Sequence, residues 1–189
     1  MDIINNLNFN TMTKIELLPE SQASESTQEL YGAIKSQMGK VPNVYQVYGH
    51  SSAALKANLQ LGETLSGGEL SKKEIEIVSL VVSQGNGCEY CLAAHSMLGG
   101  MNGMSDDEMI GVRKGIHINE KEQALISFAK AVYENKGRIS QEVLSNFLAT
   151  GYTNGAAVEV IGQIALNTFN NYTNNLAGTP VDFPEPKAF

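Results

Sequence analysis

An almost unbroken apolar run, Ile75 to Val82, meets a Gly85-Asn86-Gly87 break and is followed at once by Cys88-Glu89-Tyr90-Cys91. No other stretch limits the fold as strongly. Ser71-Lys72-Lys73-Glu74 just ahead of it has the form of a capping box. There the serine and the glutamate side chains each take a backbone N–H at a helix start. Ile75, Val78 and Val82 share one helical face, while Ile77, Leu80 and Val81 cover much of the rest. A helix this apolar is expected to be largely buried. A second helix is expected from near Cys88 to about Leu98, closed by Gly99-Gly100. Two helices joined by so tight a break form an antiparallel hairpin.

The hairpin fixes depths. Glu76 lies eight residues before Gln84, so roughly 12 Å below the turn at ~1.5 Å per residue. His95 lies seven residues after Cys88, so roughly 10 Å below the turn on the returning helix. Cys91 is one helical turn from His95 on the same face. Glu76, His95 and Cys91 are therefore expected to meet, with Cys88 at the mouth.

The rest of the chain carries the same helical punctuation. A helix is expected from Ser24 to Met38, broken by Gly39-Lys40-Val41-Pro42-Asn43, where Pro42 pushes Val41 toward extended geometry. From Val44 a short apolar segment leads to Ser51-Ser52, which cap a helix bearing Leu55, Leu59 and Leu65 and ending at Gly67-Gly68. Ser105, Asn119 and Ser140 open three more, closed at Gly115, Gly137 and Gly151. The last helix runs from about Asn154 to Leu176, with Val158, Ile161, Ala165, Phe169 and Tyr172 on one stripe. Gly178, Pro180 and Pro184 mark an extended tail. No segment alternates apolar and polar residues between strand-type turns. The expectation is an all-α helical bundle: a lead-in over residues 1–16, one domain over 17–184 and a tail over 185–189.

Composition excludes several roles. A formal charge of -7 and the lack of a long basic run argue against nucleic acid or an anionic membrane surface as partner. No apolar run reaches the ~20 residues that span a bilayer. The start, Met1-Asp2-Ile3-Ile4-Asn5, lacks the basic residues and cleavage site of a secretory signal. A cytoplasmic setting follows as the default. Two cysteines are too few for a disulfide framework at this length, so a C-x-x-C points to redox or metal chemistry.

The residue types suit dithiol chemistry. Both cysteines stand at a helix start, where free N–H groups and the helix dipole favour the attacking thiolate. His95 can take the thiol proton and return it to a leaving group. Glu76 can orient the imidazole or pass a proton on. A sulfenic acid at one cysteine can be resolved by the other. Two readings compete. Cys88, Cys91, His95 and Glu76 are four candidate zinc ligands, although structural zinc usually draws paired ligands from two separated segments and no second pair exists. Glu76 also shares a helix stripe with Lys72, Ser79 and Ser83, which for an isolated glutamate reads as a solvated face; the depth match with His95 favours the site. Tyr90 is an auxiliary candidate, a hydrogen-bond donor between the cysteines. His50 and His117 have no partner pattern and read as surface or capping residues.

Glu76-x11-Cys88-x2-Cys91-x3-His95, with Asn86-Gly87-Cys88-x-Tyr90-Cys91 inside it, resembles the AhpD-like alkylhydroperoxidase branch of the carboxymuconolactone decarboxylase superfamily. Gly39-Lys40-Val41-Pro42-Asn43, the stretch from Glu159 to Tyr172, and Val181-Asp182-Phe183-Pro184 resemble flanking segments of its peroxidase-related subgroup. The resemblance implies an all-α fold, homo-oligomers and thiol-dependent reduction of hydroperoxides with an antioxidant role. It implies a hydroperoxide substrate, a thiol or dithiol electron donor, and no cofactor or metal beyond a redox-active Cys88–Cys91 disulfide. By position Cys91 resembles the peroxide-attacking cysteine, Cys88 its disulfide partner, and Glu76 with His95 a proton-relay pair. Tyr90 stands where the best-known member has a second histidine, and a tyrosine is no base near neutral pH. The alternatives are a general protein disulfide oxidoreductase, a carboxymuconolactone decarboxylase-like enzyme and a structural zinc-binding helical module. True lactone decarboxylases do not depend on a C-x-x-C, so the pair argues against that activity.

Overall fold

The structure is a computed structural model that describes residues 15–188; most of the expected lead-in lies outside them. After a single 3-10 turn at Glu20–Gln22 come α1 (Glu25–Met38), α2 (Asn43–Tyr48), α3 (Ser52–Leu65), α4 (Lys72–Gly85), α5 (Glu89–Met101), α6 (Asp106–Lys114), α7 (Glu120–Glu134), α8 (Gln141–Ala149) and α9 (Asn154–Ala177). Among the described residues there is no strand. The fold is all-α.

Side-chain caps account for most of the helix starts. Ser24, Ser51, Ser71, Cys88, Ser105, Asn119, Ser140 and Thr153 each accept a backbone N–H from the first turn of the helix they precede. Each satisfies a donor that the helix start leaves without an internal partner. Ser71 with Glu74, and Ser105 with Glu108, close full capping boxes. The segment after Asn43, expected only as an apolar stretch, is the six-residue helix α2. It follows Pro42 and has no side-chain cap, so it lacks the usual start signal. A second difference concerns Gly99-Gly100, expected as a stop. Helix α5 runs through both to Met101. A Cβ on Gly99 would stand 2.9 Å from the Met109 sulfur, so close packing, not termination, requires glycine there.

Helix α4 is the axis of the molecule and packs against α5, α6, α7 and α9. Its Ile77, Val78, Leu80 and Val82 join Leu125, Phe128, Phe147 and Val160 in the main core. Phe147 stacks between Phe128 and Tyr152, with ring centroids 4.2 and 4.3 Å away. A smaller core of Tyr31, Ile34, Tyr48 and Leu55 holds α1, α2 and α3 together, and α2 and α3 lie on α9.

Helix α9 turns its polar face inward and leaves the expected apolar stripe outside. Its inward face carries Gln163, Asn167, Asn171 and Asn174, all buried, alongside Ala156, Ala157 and Val160. The apolar stripe Val158, Ile161, Ala165, Phe169, Tyr172 and Leu176 points outward and is exposed. Two of the inward amides donate to small hydroxyls on α4, Asn167 to Ser79 and Asn171 to Ser83, which lowers the cost of burying them. The amide oxygens of Asn167 and Asn174 are buried without a protein partner.

Candidate active site

The hairpin of α4 and α5 brings together the residues that the depth argument matched. Glu76 Oε2 lies 2.8 Å from His95 Nδ1. Glu76 is buried, as are Ser79 and Ser83, so this stripe of α4 is a polar seam against α9 and not a solvated face. Gly87, at φ +59°, makes the left-handed turn that returns the chain. Cys88 then caps α5, its sulfur accepting the Cys91 N–H at 3.4 Å. The two sulfurs are 2.7 Å apart, with Cys88 donating to Cys91. Both cysteines are free thiols.

Cys88 is fully buried, which corrects its expected place at the mouth. Cys91 is the sulfur that faces a cavity of about 110 Å³ lined by Val44, Tyr45, Tyr90, Cys91, His95 and Phe183 among others. The reversal follows from capping: a residue whose side chain folds back onto the first turn points into the helix, while the residue three further on faces outward.

The electrostatics separate the two thiols. The hydrogen bond from Cys88 lowers the Cys91 thiol to about 7, against the effect of burial, helped by His95 and the amides of Asn171 and Asn174. Cys88 is pushed the other way, because its hydrogen serves Cys91 and because it is buried. Burial works against a charged His95, but the Glu76 carboxylate and Cys91 outweigh it and raise its pKa. The site therefore favours a thiolate at Cys91 with an imidazolium held by a carboxylate.

Tyr90 is placed for structure. Its hydroxyl accepts the Val44 N–H at 3.1 Å and donates to Asp182 at 2.8 Å, and burial raises its pKa. Asp182 also takes Lys40 at 2.8 Å, and Phe183 meets the Tyr90 ring edge-on at 5.4 Å. The stretch after α9, expected as a plain extended tail, is thus a strap tied across the cavity. Asn174 is the site residue that sequence reasoning missed. Its amide donates to Cys91 Sγ at 3.3 Å. The signal was present as asparagines at positions 167, 171 and 174, spaced by four and three, the spacing of one helical face.

His117 is buried at its side chain, not on the surface, with 2% exposed. With Glu108 and Glu122 it forms the one group of three metal-capable side chains found among the described residues. Lys73 already lies between the two carboxylates, at 3.1 and 2.9 Å. His117 Nδ1 accepts the Asn119 N–H at 3.0 Å, so its proton sits on Nε2, the atom a metal would need bare. The group is an ion-pair cluster.

Residues 52–131 match the carboxymuconolactone decarboxylase family. That span contains the whole α4–α5 hairpin. Three solved structures share the fold. An alkylhydroperoxidase AhpD core, an uncharacterized peroxidase-related protein from Ralstonia eutropha JMP134, superposes with a TM-score of 0.81 at 19% identity, over 90% of this chain and 93% of that one. The segment that carries the site thus matches the carboxymuconolactone decarboxylase family, and the chain shares the AhpD-like fold. A peroxidase-related protein from Silicibacter sp. TM1040 gives a TM-score of 0.74 at 20% identity, over 90% and 92%. The debrominase Bmp8 gives 0.72 at 19%, also over 90% and 92%. At these identities the likeness to these solved structures is one of fold. No curated protein matches the sequence significantly. No helix among the described residues is long and apolar enough to cross a membrane.

Proposed function

We propose that this protein is a thiol-dependent peroxidase that reduces small organic hydroperoxides. The observation that carries the reading is the asymmetry of the dithiol: a cavity-facing thiol lowered to about 7 beside a buried thiol that is raised. In the first step the Cys91 thiolate attacks the terminal oxygen of the hydroperoxide. An S–O bond forms, the O–O bond breaks, and the sulfur is oxidised by two electrons to a sulfenic acid. The leaving alkoxide takes a proton from His95, whose charge Glu76 supports, and departs as an alcohol. Cys88 then attacks the Cys91 sulfur, expelling water and forming the disulfide. An external thiol or dithiol returns the pair to its reduced state.

Burial of both sulfurs favours a small substrate over a protein disulfide, which needs an exposed sulfur for direct exchange. Self-assembly belongs to the same proposal. The outward stripe of α9 is apolar over its whole length, and large exposed apolar patches mark contact sites.

The test is peroxide-dependent oxidation of an added dithiol. Cys91→Ser is expected to lower turnover by ~10³-fold or more, as loss of a nucleophile does. With no dithiol added, Cys88→Ser is expected to consume one equivalent of peroxide and stop, leaving a sulfenic acid that a dimedone-type reagent traps. Undiminished turnover in Cys91→Ser removes the proposal.

A further inference from the structure

Helix α9 supplies an element the dithiol account leaves unused. Asn174 is 3% exposed and stands in the last turn of the helix. Its backbone oxygen accepts the N–H of both Gly178 and Thr179, so the turn that presents the side chain is fixed. Its Nδ2 donates to Cys91 Sγ at 3.3 Å. Its Oδ1 is buried with no protein partner, and the residue is part of the wall of the cavity that Cys91 faces. The neighbouring asparagine differs. Asn171 gives its nitrogen to Ser83 and takes the Asn86 amide on its oxygen at 2.8 Å, so both ends are engaged within the protein.

A thiolate has lone pairs and no hydrogen, so it fixes the amide with nitrogen toward sulfur and oxygen away from it. That leaves an acceptor beside the attacking sulfur. A buried acceptor without a partner is costly, by roughly the free energy of a lost hydrogen bond, and such groups concentrate where a ligand completes them. A hydroperoxide carries one hydrogen, on the oxygen that the thiolate attacks.

We infer that Asn174 is a catalytic residue that holds both reactants: its amide nitrogen donates to the Cys91 thiolate while its amide oxygen accepts the hydroxyl hydrogen of the hydroperoxide. One side chain then sets the sulfur and the terminal oxygen in register before the S–O bond forms, which is the gain expected from orienting two reactants. The oxygen half of this role rests on the peroxidase reading; the nitrogen half does not.

Cys88→Ser leaves Cys91 as the single thiol and retains a hydroxyl donor beside it. In that background the rate of Cys91 alkylation by iodoacetamide is measured against pH, with Asn174 intact and with Asn174→Leu or Asn174→Asp. Loss of the donor is expected to raise the midpoint by about one pH unit in Asn174→Leu. Asn174→Asp is expected to raise it further, since a carboxylate then faces the thiolate. A midpoint unmoved in both variants overturns the nitrogen role. A merely structural residue alters melting temperature and leaves the midpoint alone. At a pH where the thiolate is fully formed in every variant, reaction with tert-butyl hydroperoxide is compared with alkylation. Asn174→Leu is expected to slow the peroxide about tenfold and iodoacetamide, which offers no hydroxyl, hardly at all. Equal slowing of both reagents overturns the oxygen role. If the parent thiol reacts with the peroxide no faster than a free thiol while the midpoint still shifts, the peroxidase reading fails and the hold of the amide on the thiolate stands.

Discussion

Glu76 and His95 form a pair whose value lies in the charge they share. Burial alone disfavours an imidazolium, and the carboxylate 2.8 Å away reverses that. The signs give a bell-shaped pH dependence. Rate climbs as pH passes about 7, where Cys91 becomes a thiolate, and falls as pH passes the raised value of His95, where the proton donor is lost. Glu76→Gln keeps the shape and removes the charge. Burial then dominates and drops His95 below its usual ~6.5. The falling limb moves to lower pH and, at pH 7, kcat/KM is expected to drop roughly tenfold. A pH profile of kcat/KM reads this directly, and a falling limb that stays in place defeats the relay. Folding carries the same sign. A histidine raised in the folded state adds stability that is fully present below ~6.5 and is lost as pH rises through the raised value. The slope of stability against pH in that window is expected to flatten in Glu76→Gln.

At the scale of elements, α4 was the most legible piece and α9 the least. Ser71 and Glu74 announce a helix start because both groups of a capping box are close in sequence, and the box is closed as expected. Ser71→Ala is expected to cost about 1 kcal/mol of stability, as loss of an N-cap does. Urea unfolding measures it, and the thiol chemistry should persist, since the cap stands at the far end of α4 from Cys88. The pairing of Glu76 with His95 was readable for the same reason: a tight turn and a fixed rise per residue locate partners across a hairpin. Two features were not readable that way. Cys88 points inward because its sulfur serves as a cap, and a C-x-x-C pattern does not say which member folds back. On α9 the pattern of apolar residues marks one face, but apolar periodicity is assigned to the core only when the other face is polar and wet. Here the polar face is Asn167, Asn171 and Asn174, and it is buried. Complementary hydroxyls at Ser79 and Ser83, some 88 residues away, made that burial tolerable, and no local pattern reveals so distant a partner.

For the whole molecule, the proposed self-assembly rests on the outward stripe of α9. Val158, Ile161, Tyr172 and Leu176 are 68, 50, 61 and 57% exposed, and with Ala165 and Phe169 they follow the three-and-four spacing of a helical seam. That spacing is what an α-helix presents to another helix along its length. Within the 24 residues of α9, the seam from Val158 to Leu176 extends over ~27 Å at ~1.5 Å per residue. A second copy of the same helix is the partner with matching length and spacing, and a two-fold contact would place the same residues on both sides. The inner face of α9 would then support the dithiol while its outer face supports assembly, and a change on the outer face should leave the thiols alone. Val158→Glu with Tyr172→Glu puts two charges on each side of such a seam, and buried unpaired charge is strongly unfavourable. Light scattering on the unchanged protein is expected to give a mass above the 20.4 kDa of one chain, and the double variant is expected to fall to that mass with its Cys91 alkylation midpoint unchanged. A monomer in the unchanged protein at high micromolar concentration removes the seam as an assembly surface. A double variant that falls to one chain but shifts its midpoint makes assembly a condition of the site and not a separate property of the same helix.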